Sequence, residues 1–372
     1  MAKVLVVDDS ALMRRRIADI LSAAGFIVET APDGAEALAR LPAFDPDVVT
    51  LDVTMPGMDG ITCLKRIMIQ RPRPVVMVSA LTAEGADVTL EALRLGAVEA
   101  VQKPSGLGAI SRIADELVDT VRAAASSRPR RVQGLRERLR LARSLIAGED
   151  FVAETTANGA ANGNTPPTVA ADVEPDIGLV LIGVSTGGPS TLEDILPALP
   201  ADFPWPVIVA QHMPANFTGP LARRLDDHCA LSVVEASVPT PLEPGTVCIA
   251  RGGADIVVVR RGGRLLAQPV PAAEERNWHP NVDRLVESAM RTVSPSRLVG
   301  VLLTGMGYDG AAAMADLRRL GGRTIAESED SAVVFGMPQE LIRRKGADIV
   351  LPADRVAQQL VRWSREFSPP RH

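Results

Sequence analysis

Short uncharged runs alternate with segments whose apolar positions recur at three- and four-residue intervals, and this alternation fills both ends of the chain. From the start, KVLVVDD, FIVETA, DVVTLDV, PVVMVSA and VEAVQKP read as strands. Between them the pattern predicts a helix with Met13, Ile17, Ile20 and Leu21 on one face, a short helix to Leu41, one after Gly60, and one over DVTLEALRLG. A last helix closes the segment near residue 121. Strand and helix in strict alternation with short connections predict a doubly wound parallel sheet over residues 1–121.

A second α/β pattern occupies residues 175–372. Ile177 to Val184 carries no charge, as expected of a strand buried on both faces. Leu192, Ile195, Leu196 and Leu199 then fall on one helix face. PVIVAQH, a helix to about Asp227, LSVVEA and TVCIARGG follow, and ADIVVVRRGGRLLAQPV reads as a hairpin turning at Arg261 to Arg264. After these come the helix NVDRLVESAMRTV, the strand RLVGVLLTGM, a helix from Gly310, RTIAES, a helix near MPQELIRRKG, DIVLP and a C-terminal helix.

The stretch between, 122–174, has no such order. Leu135, Leu139, Ala142 and Ile146 suit a narrow-striped helix flanked by arginines, and the Ala/Asn/Gly/Thr/Pro-rich sequence after it reads as a linker. Residues 122–143 hold eight Arg against one Glu, so the net charge of −5 conceals −12 on the remainder. No aromatic interleaves with these arginines and no nucleic-acid-reading motif accompanies them, so nucleic acid is not the expected partner. The basic element is expected to be solvated or to dock on an acidic surface. With 372 residues, 46% apolar and only 3% aromatic, the chain has the composition of a two-domain α/β protein. No apolar run approaches the ~18 residues needed to span a bilayer, and the N-terminal run is too short for a secretory signal, so a cytoplasmic location without membrane insertion is expected. Cys63, Cys229 and Cys248 lack paired spacing, which argues against disulfides and zinc.

Polar residues collect at the carboxyl ends of the first sheet's strands, where doubly wound sheets bind ligands. Asp8 and Asp9 follow the first, Asp52 the third, Ser79 ends the fourth and Lys103 the fifth. One such aspartate would read as a helix cap. Three carboxylates at one edge repel each other unless a cation sits among them, and hard oxygen donors suit Mg²⁺. A carboxylate beside Mg²⁺ can attack phosphorus, with Lys103 and Ser79 receiving the phosphoryl oxygens. Through VVDDS, LDVTMPGMDG, VSALT and QKP the segment resembles a bacterial response-regulator receiver domain, which has a flavodoxin-like fold. That resemblance implies Asp52 as phosphoacceptor for a histidine kinase phosphodonor, and Mg²⁺ held by Asp9, Asp52 and the Thr54 carbonyl with Asp8 nearby. Receivers often carry Tyr or Phe where this chain has Ala100, so a readout by ring rotation cannot operate here.

In the second half, GVSTGGP places Ser185 between glycines at a strand end and a helix mouth, which fits a GxSxG nucleophile, a glycine-rich cap or a phosphate loop equally well. A base decides between them, and there are only four histidines. His372 is terminal, His228 lies at a helix end, and His279 precedes a helix as a cap or a substrate contact. His212 ends strand PVIVAQH as Ser185 ends its own, and Asp309 follows the strand LVGVLLTG. The order Ser, His, Asp differs from that of α/β-hydrolases. Together GVSTGGP, QHMPANFT, PGTVCIARGG, HPNVDRLVESA, LLTGMGYDG and VVFGMP resemble the catalytic domain of the chemotaxis protein-glutamate methylesterases of the CheB type. The resemblance implies a parallel-sheet serine hydrolase domain with Ser185 as nucleophile, His212 as base and Asp309 as the acid that orients it. It implies as substrates the methylated cytoplasmic helices of chemoreceptors, with deamidation of receptor glutamines as a second activity and no cofactor for the ester chemistry. Backbone N–H groups at Thr186 and Gly307 are the candidate oxyanion donors. HPNVD has Asn281 where a serine is usual.

Overall fold

The computed structural model describes residues 1–79, 83–103, 110–127 and 178–367. Of the Arg-rich stretch, residues 128–143 lie outside these residues, as do the predicted helix through Leu135 and Ile146, Pro104, Ile177 and His372.

The first unit has five strands, β1 (Lys3–Val7), β2 (Ile27–Ala31), β3 (Val48–Asp52), β4 (Val75–Ser79) and β5 (Glu99–Gln102), all parallel in the order β2-β1-β3-β4-β5. β3 and β4 are buried along their whole length, which is why their sequences run apolar rather than alternating. Five helices connect and flank them: α1 (Ala11–Ala23), α2 (Gly34–Phe44), α3 (Gly60–Gln70), α4 (Ala83–Arg94) and α5 (Ile110–Ser126). Ser10, Asp33 and Asp59 cap the first three by accepting the N–H three residues on. α2 continues past the expected end at Leu41 despite Pro42 in its last turn, because buried Phe44 completes the packing face. α5 likewise runs past residue 121, with Ala123 and Ala124 buried.

The second unit is built on a seven-stranded, wholly parallel sheet. Its strands are β6 (Leu179–Val184), β7 (Val207–Gln211), β8 (Ser232–Ala236), β10 (Thr246–Ala250), β13 (Leu298–Leu302), β14 (Arg323–Glu327) and β15 (Ile349–Leu351), in the order β15-β14-β13-β6-β7-β10-β8. β9 (Thr240–Pro241), β11 (Ala254–Arg261) and β12 (Arg264–Pro271) form a small antiparallel sheet whose hairpin pairs Arg261 with Arg264, where the sequence pattern placed the turn. The helices are α6 (Gly188–Ile195), α7 (Ala215–Asp226), α8 (Val282–Thr292), α9 (Ala311–Arg319), α10 (Met337–Arg343) and α11 (Ala353–Phe367). All four residues of the predicted α6 stripe are buried, but the α-helix stops at Ile195 and passes into a 3₁₀ turn, Leu196–Ala198. Pro197 is the cause, since it has no N–H to continue the ladder.

Two features of this topology position the site. The chain leaves β6 for β7 on one side and returns as β13 on the other, so the strand order reverses beside β6. Crevices at such reversals lie outside the carboxyl ends of the strands and are where open α/β sheets bind ligands. The two units also touch: α4 of the first packs against α6 and α7 of the second.

Candidate active site

Ser185, His212 and Asp309 converge at that crevice, each from a different central strand. Val184 pairs with Gln211, so the next residues, Ser185 and His212, leave neighbouring strands side by side, and His212 N–H donates to Val184 O at 3.0 Å. Ser185 N–H donates across to Thr304 O at 2.9 Å, tying the serine to the loop after β13. From that loop Asp309 reaches His212, with Oδ2 and Nε2 2.8 Å apart. The His212 and Asp309 side chains are buried, and Ser185 is 9% exposed.

The polarity of the imidazole follows from what surrounds the carboxylate. Asp309 Oδ1 accepts from Asn281 Nδ2 (2.8 Å) and Asp283 N (3.1 Å), and Oδ2 accepts from Val282 N at 2.7 Å. All three partners can only donate, so Asp309 acts as an acceptor and the ring proton lies on His212 Nε2. The lone pair is therefore on Nδ1, which is buried without a hydrogen-bond partner. Nδ1 is thus the ring atom left to accept a proton. Trp278 lies parallel to the ring, centroids 6.0 Å apart, and meets Tyr308 edge-on at 5.0 Å.

A shell of buried polar groups holds these loops. Gln211 Nε2 donates to the carbonyls of Ser185 and His212, both at 3.0 Å. Thr304 Oγ1 donates to Thr186 O at 2.9 Å and accepts from Val334 N, while Thr304 N donates to Glu327 Oε2 at 2.7 Å. α6 starts at Gly187, whose φ of +79° gives the left-handed turn that carries the chain from Ser185 into the helix. A Cβ on Gly305 would lie 2.6 Å from the Ser185 Cβ and 2.5 Å from Met337 Sδ, so only glycine lets this loop close on the serine. Gly305→Ala is expected to cost about 1–3 kcal/mol by overpacking and to displace Ser185. A lowered unfolding temperature together with reduced hydrolysis checks it; wild-type values of both would show that the loop yields freely.

At the carboxyl edge of the first sheet, side-chain oxygens of Asp8, Asp9 and Asp52 lie within 4.8 Å of one another. Lys103 Nζ contacts Asp52 Oδ2 at 2.7 Å and Asp8 Oδ2 at 3.0 Å. Desolvation raises Asp52 above the ordinary aspartate range and outweighs its bond to Lys103. Desolvation pulls Lys103 down, but its bonds to Asp52 and Asp8 prevail and hold it above the ordinary lysine value. Ser79 is buried at the end of β4, and Lys103 N donates to its carbonyl at 2.8 Å. Thr54 N donates to Asp52 Oδ1 at 3.3 Å. Three hard carboxylates gathered this closely suit a divalent cation.

Residues 180–360 match the family model for CheB methylesterase, and residues 4–115 match that for the response regulator receiver domain. The chain is 56% identical over 366 residues to protein-glutamate methylesterase/protein-glutamine glutaminase 3 of Rhodospirillum rubrum, covering 98% of this chain and 96% of that protein. It is 51% identical over 366 residues to protein-glutamate methylesterase/protein-glutamine glutaminase 2 of Rhodopseudomonas palustris, covering 98% of each. The chain belongs to the CheB methylesterase family. Among solved structures, it is similar to the Thermotoga maritima CheB methylesterase catalytic domain, at 38% identity and a TM-score of 0.49, over 50% of this chain and 98% of that one.

In this family's two-domain arrangement the contacts between receiver and catalytic unit bear directly on the site. Arg224 of α7 pairs with Glu193 of α6 at 2.6 Å and with Glu91 of the receiver's α4 at 3.2 Å. Val333, beside Gly187, belongs to the same buried cluster as receiver residues Val101 and Leu117. Glu99 of β5 accepts a hydrogen bond from the Thr186 hydroxyl, next to Ser185. Burial pushes Glu99 up to about 7, against the opposing effect of its bonds to Ala100 N and Thr186 and with the Glu116 charge adding to it.

Of the sequence-derived candidates, Ser185, His212 and Asp309 are brought to one crevice, and Asp8, Asp9, Asp52, Ser79 and Lys103 to one sheet edge. Thr186 sits buried at the helix mouth, whereas Gly307 lies against the Trp278 ring. His279 does not cap α8: its Nδ1 bonds Asp255 Oδ1 at 2.8 Å, and Asn281 supplies the cap. His228 Nδ1 bonds Arg224 O. The periodicity reading missed Asp255, whose side chain is fully buried and joins His279, Arg284, Asn281 N and Ala273 N. Those bonds outweigh desolvation and hold its carboxyl below the usual range. An acid at the start of the apolar strand ADIVVV was the available signal.

Proposed function

We propose that this protein hydrolyses glutamyl γ-methyl esters, and deamidates glutamines, on the cytoplasmic helices of chemoreceptors through Ser185, His212 and Asp309, under the control of phosphorylation at Asp52. The observation that carries the chemistry is the set of donors around Asp309, which leaves His212 Nδ1 as the one basic ring nitrogen. The substrate class rests on the names of the relatives, which act as protein-glutamate methylesterases and protein-glutamine glutaminases.

In this reading Nδ1 takes the Ser185 proton as Oγ attacks the ester carbonyl. The imidazolium is stabilised by Asp309 and returns the proton to the departing methoxide, leaving an acyl-serine and methanol. Water deprotonated at the same nitrogen then releases the glutamate. Glutamine follows the same path with ammonia leaving, so deamidation needs no further residue. The Thr186 N–H at the mouth of α6, with Gly307, would hold the oxyanion, a contribution of about 3 kcal/mol for one donor.

The receiver supplies the control. Asp9, Asp52 and the Thr54 carbonyl would hold Mg²⁺, with Asp8 alongside; the bound ion offsets carboxylate charge and polarises the incoming phosphoryl group. Asp52 accepts the phosphoryl group from a histidine kinase, and Lys103 and Ser79 receive its oxygens. Lys103, now paired with Asp52 and Asp8, must re-partner when Asp52 is modified. The contacts of Glu91, Glu99 and the Val333 cluster support a receiver that covers the crevice until then.

The deciding experiment is methanol release from methylated receptor membranes with and without a phosphodonor. The expected result is stimulated release that Ser185→Ala abolishes. Release that survives Ser185→Ala would remove the nucleophile from this account, and a fluorophosphonate label lost in the same variant reports on the serine independently of substrate.

A further inference from the structure

We infer that Asn281 is a positioning residue for the hydrolysis: its side-chain amide, locked in one orientation, holds the Asp309 carboxylate so that Oδ2 faces His212. This rests on the Ser185, His212 and Asp309 reading given above and adds to it a residue whose chemistry that triad does not include.

The orientation of the amide is forced by its partners. Asn281 Oδ1 accepts from Arg284 N at 2.8 Å, as the N-cap of α8, and from Arg276 Nη1 at 2.8 Å. A backbone N–H and a guanidinium can only donate, so the oxygen end is fixed and the nitrogen end must point the other way. There Nδ2 donates to Asp309 Oδ1 at 2.8 Å. Arg276 is itself held by Glu287, through contacts of 3.2 and 3.0 Å, and Asn281 N donates to Asp255 Oδ1 at 2.8 Å. Asn281 is only 3% exposed, so water does not readily replace any of these bonds.

The consequence concerns the acid. Without Asn281 Nδ2, Oδ1 keeps only the longer bond from Asp283 N, and with Val282 N on Oδ2 as the other protein donor besides His212 the carboxylate turns more easily about its Cβ–Cγ bond. Rotation weakens the Oδ2 to Nε2 contact that sets the imidazole tautomer. A neutral amide also fixes the carboxylate without cancelling its charge, which a lysine or arginine in the same place would do. The charge is what stabilises the imidazolium formed during attack.

Asn281→Asp tests this sharply, because aspartate is as good an N-cap as asparagine and matches it in size. The cap and the Arg276 contact survive, and the donor aimed at Asp309 becomes an oxygen. Methyl-ester hydrolysis by the full chain with a phosphodonor is expected to show kcat lowered about 10- to 100-fold with KM unchanged. The added negative charge favours the protonated imidazole, so the acid limb of the kcat/KM profile should move to higher pH. Asn281→Ala should lower kcat without that shift of the limb. Arg276→Met leaves the cap in place and removes one of the two donors on the amide oxygen, so it reports on the same contact if either Asn281 variant fails to accumulate, and should lower kcat less than Asn281→Ala does, with KM unchanged.

Wild-type kcat and an unmoved acid limb in Asn281→Asp would overturn the inference, as would wild-type kcat in Asn281→Ala. A loss of thermal stability with kcat intact well below the unfolding temperature would also overturn it, leaving Asn281 as a helix cap alone. Asp309→Asn measured alongside separates the two levels: a wild-type rate there removes the triad reading itself, whereas a large loss there with none at Asn281 removes only this inference.

Discussion

Replacing Asp309 with asparagine is expected to lower kcat about 10⁴-fold, the size of effect seen when a triad acid is made a neutral amide, with little change in fold or KM. Four N–H groups converge on this side chain, from His212, Asn281, Val282 and Asp283. Two belong to the backbone, and the Asn281 amide cannot turn because Arg276 and Arg284 N hold its oxygen. An asparagine at 309 has one acceptor oxygen and one NH₂, so either orientation sets a donor against a donor. Where the NH₂ faces His212, Nε2 must become the acceptor and the ring proton moves to Nδ1, the atom that has to be bare to take a proton from Ser185. Where it faces Asn281, the carboxamide is pushed from the position that orients the ring. Single-turnover hydrolysis of methylated receptor by wild type and variant, with circular dichroism as the fold control, measures this. A loss under about 10-fold would mean that the imidazole is oriented by Trp278 stacking rather than by the acid.

Freeing residues 175–372 from the receiver is expected to raise methyl-ester hydrolysis about 5- to 150-fold over the unphosphorylated full chain, the range of ordinary coupling energies between sites. Asp52→Asn should abolish stimulation by a phosphodonor and keep basal hydrolysis. The ion pair of Arg224 with Glu91 is partly exposed and contributes at most about 1 kcal/mol, so it alone cannot hold the domains closed. The packing of α4 on α6 and α7 and the Val333 cluster must provide most of the contact.

Glu99 gives this contact a pH dependence with a definite sign. Its carboxyl stands at about 7 rather than the ordinary 4.5, chiefly through burial, and the share of that burial contributed by the catalytic unit is lost on opening, so closure takes up a proton. Closure is thus best supported below about 4.5 and weakens as pH rises toward and through 7. The rate ratio of truncated to full-length enzyme should fall over that window; the ratio removes the protonation of His212, which both forms share. Glu99→Gln has no charge to bury and should flatten the dependence. A ratio independent of pH in wild type would show that Glu99 does not sense closure, and equal rates for truncated and intact protein would reject occlusion altogether.

How legible the protein was in its sequence depends on the range over which each feature is decided. Strand and helix alternation, the hairpin at Arg261 to Arg264 and the buried stripe of α6 are local, set by side-chain periodicity against a single core. The errors were local too: Pro42 and Pro197 shifted helix ends because tertiary packing of Phe44 and Leu196 competed with the proline's missing N–H. Candidate chemistry was legible where rare residue types stand at strand ends, since a parallel sheet carries all such ends to one edge. Ser185, His212, Asp309 and the receiver aspartates became candidates in that way.

The sequence by itself determined the two parallel-sheet units, the residues at their carboxyl edges and the family to which the chain belongs. Only the tertiary structure decided that β13, β6 and β7 lie together, which ring nitrogen of His212 faces Asp309, and that Asn281 completes the acid's surroundings while His279 serves Asp255 instead. It also decided that Glu99 of the receiver meets Thr186. Periodicity specifies which face of an element is buried but not which distant element covers it, and a hydrogen bond between residues far apart in the chain exists only once that packing is fixed.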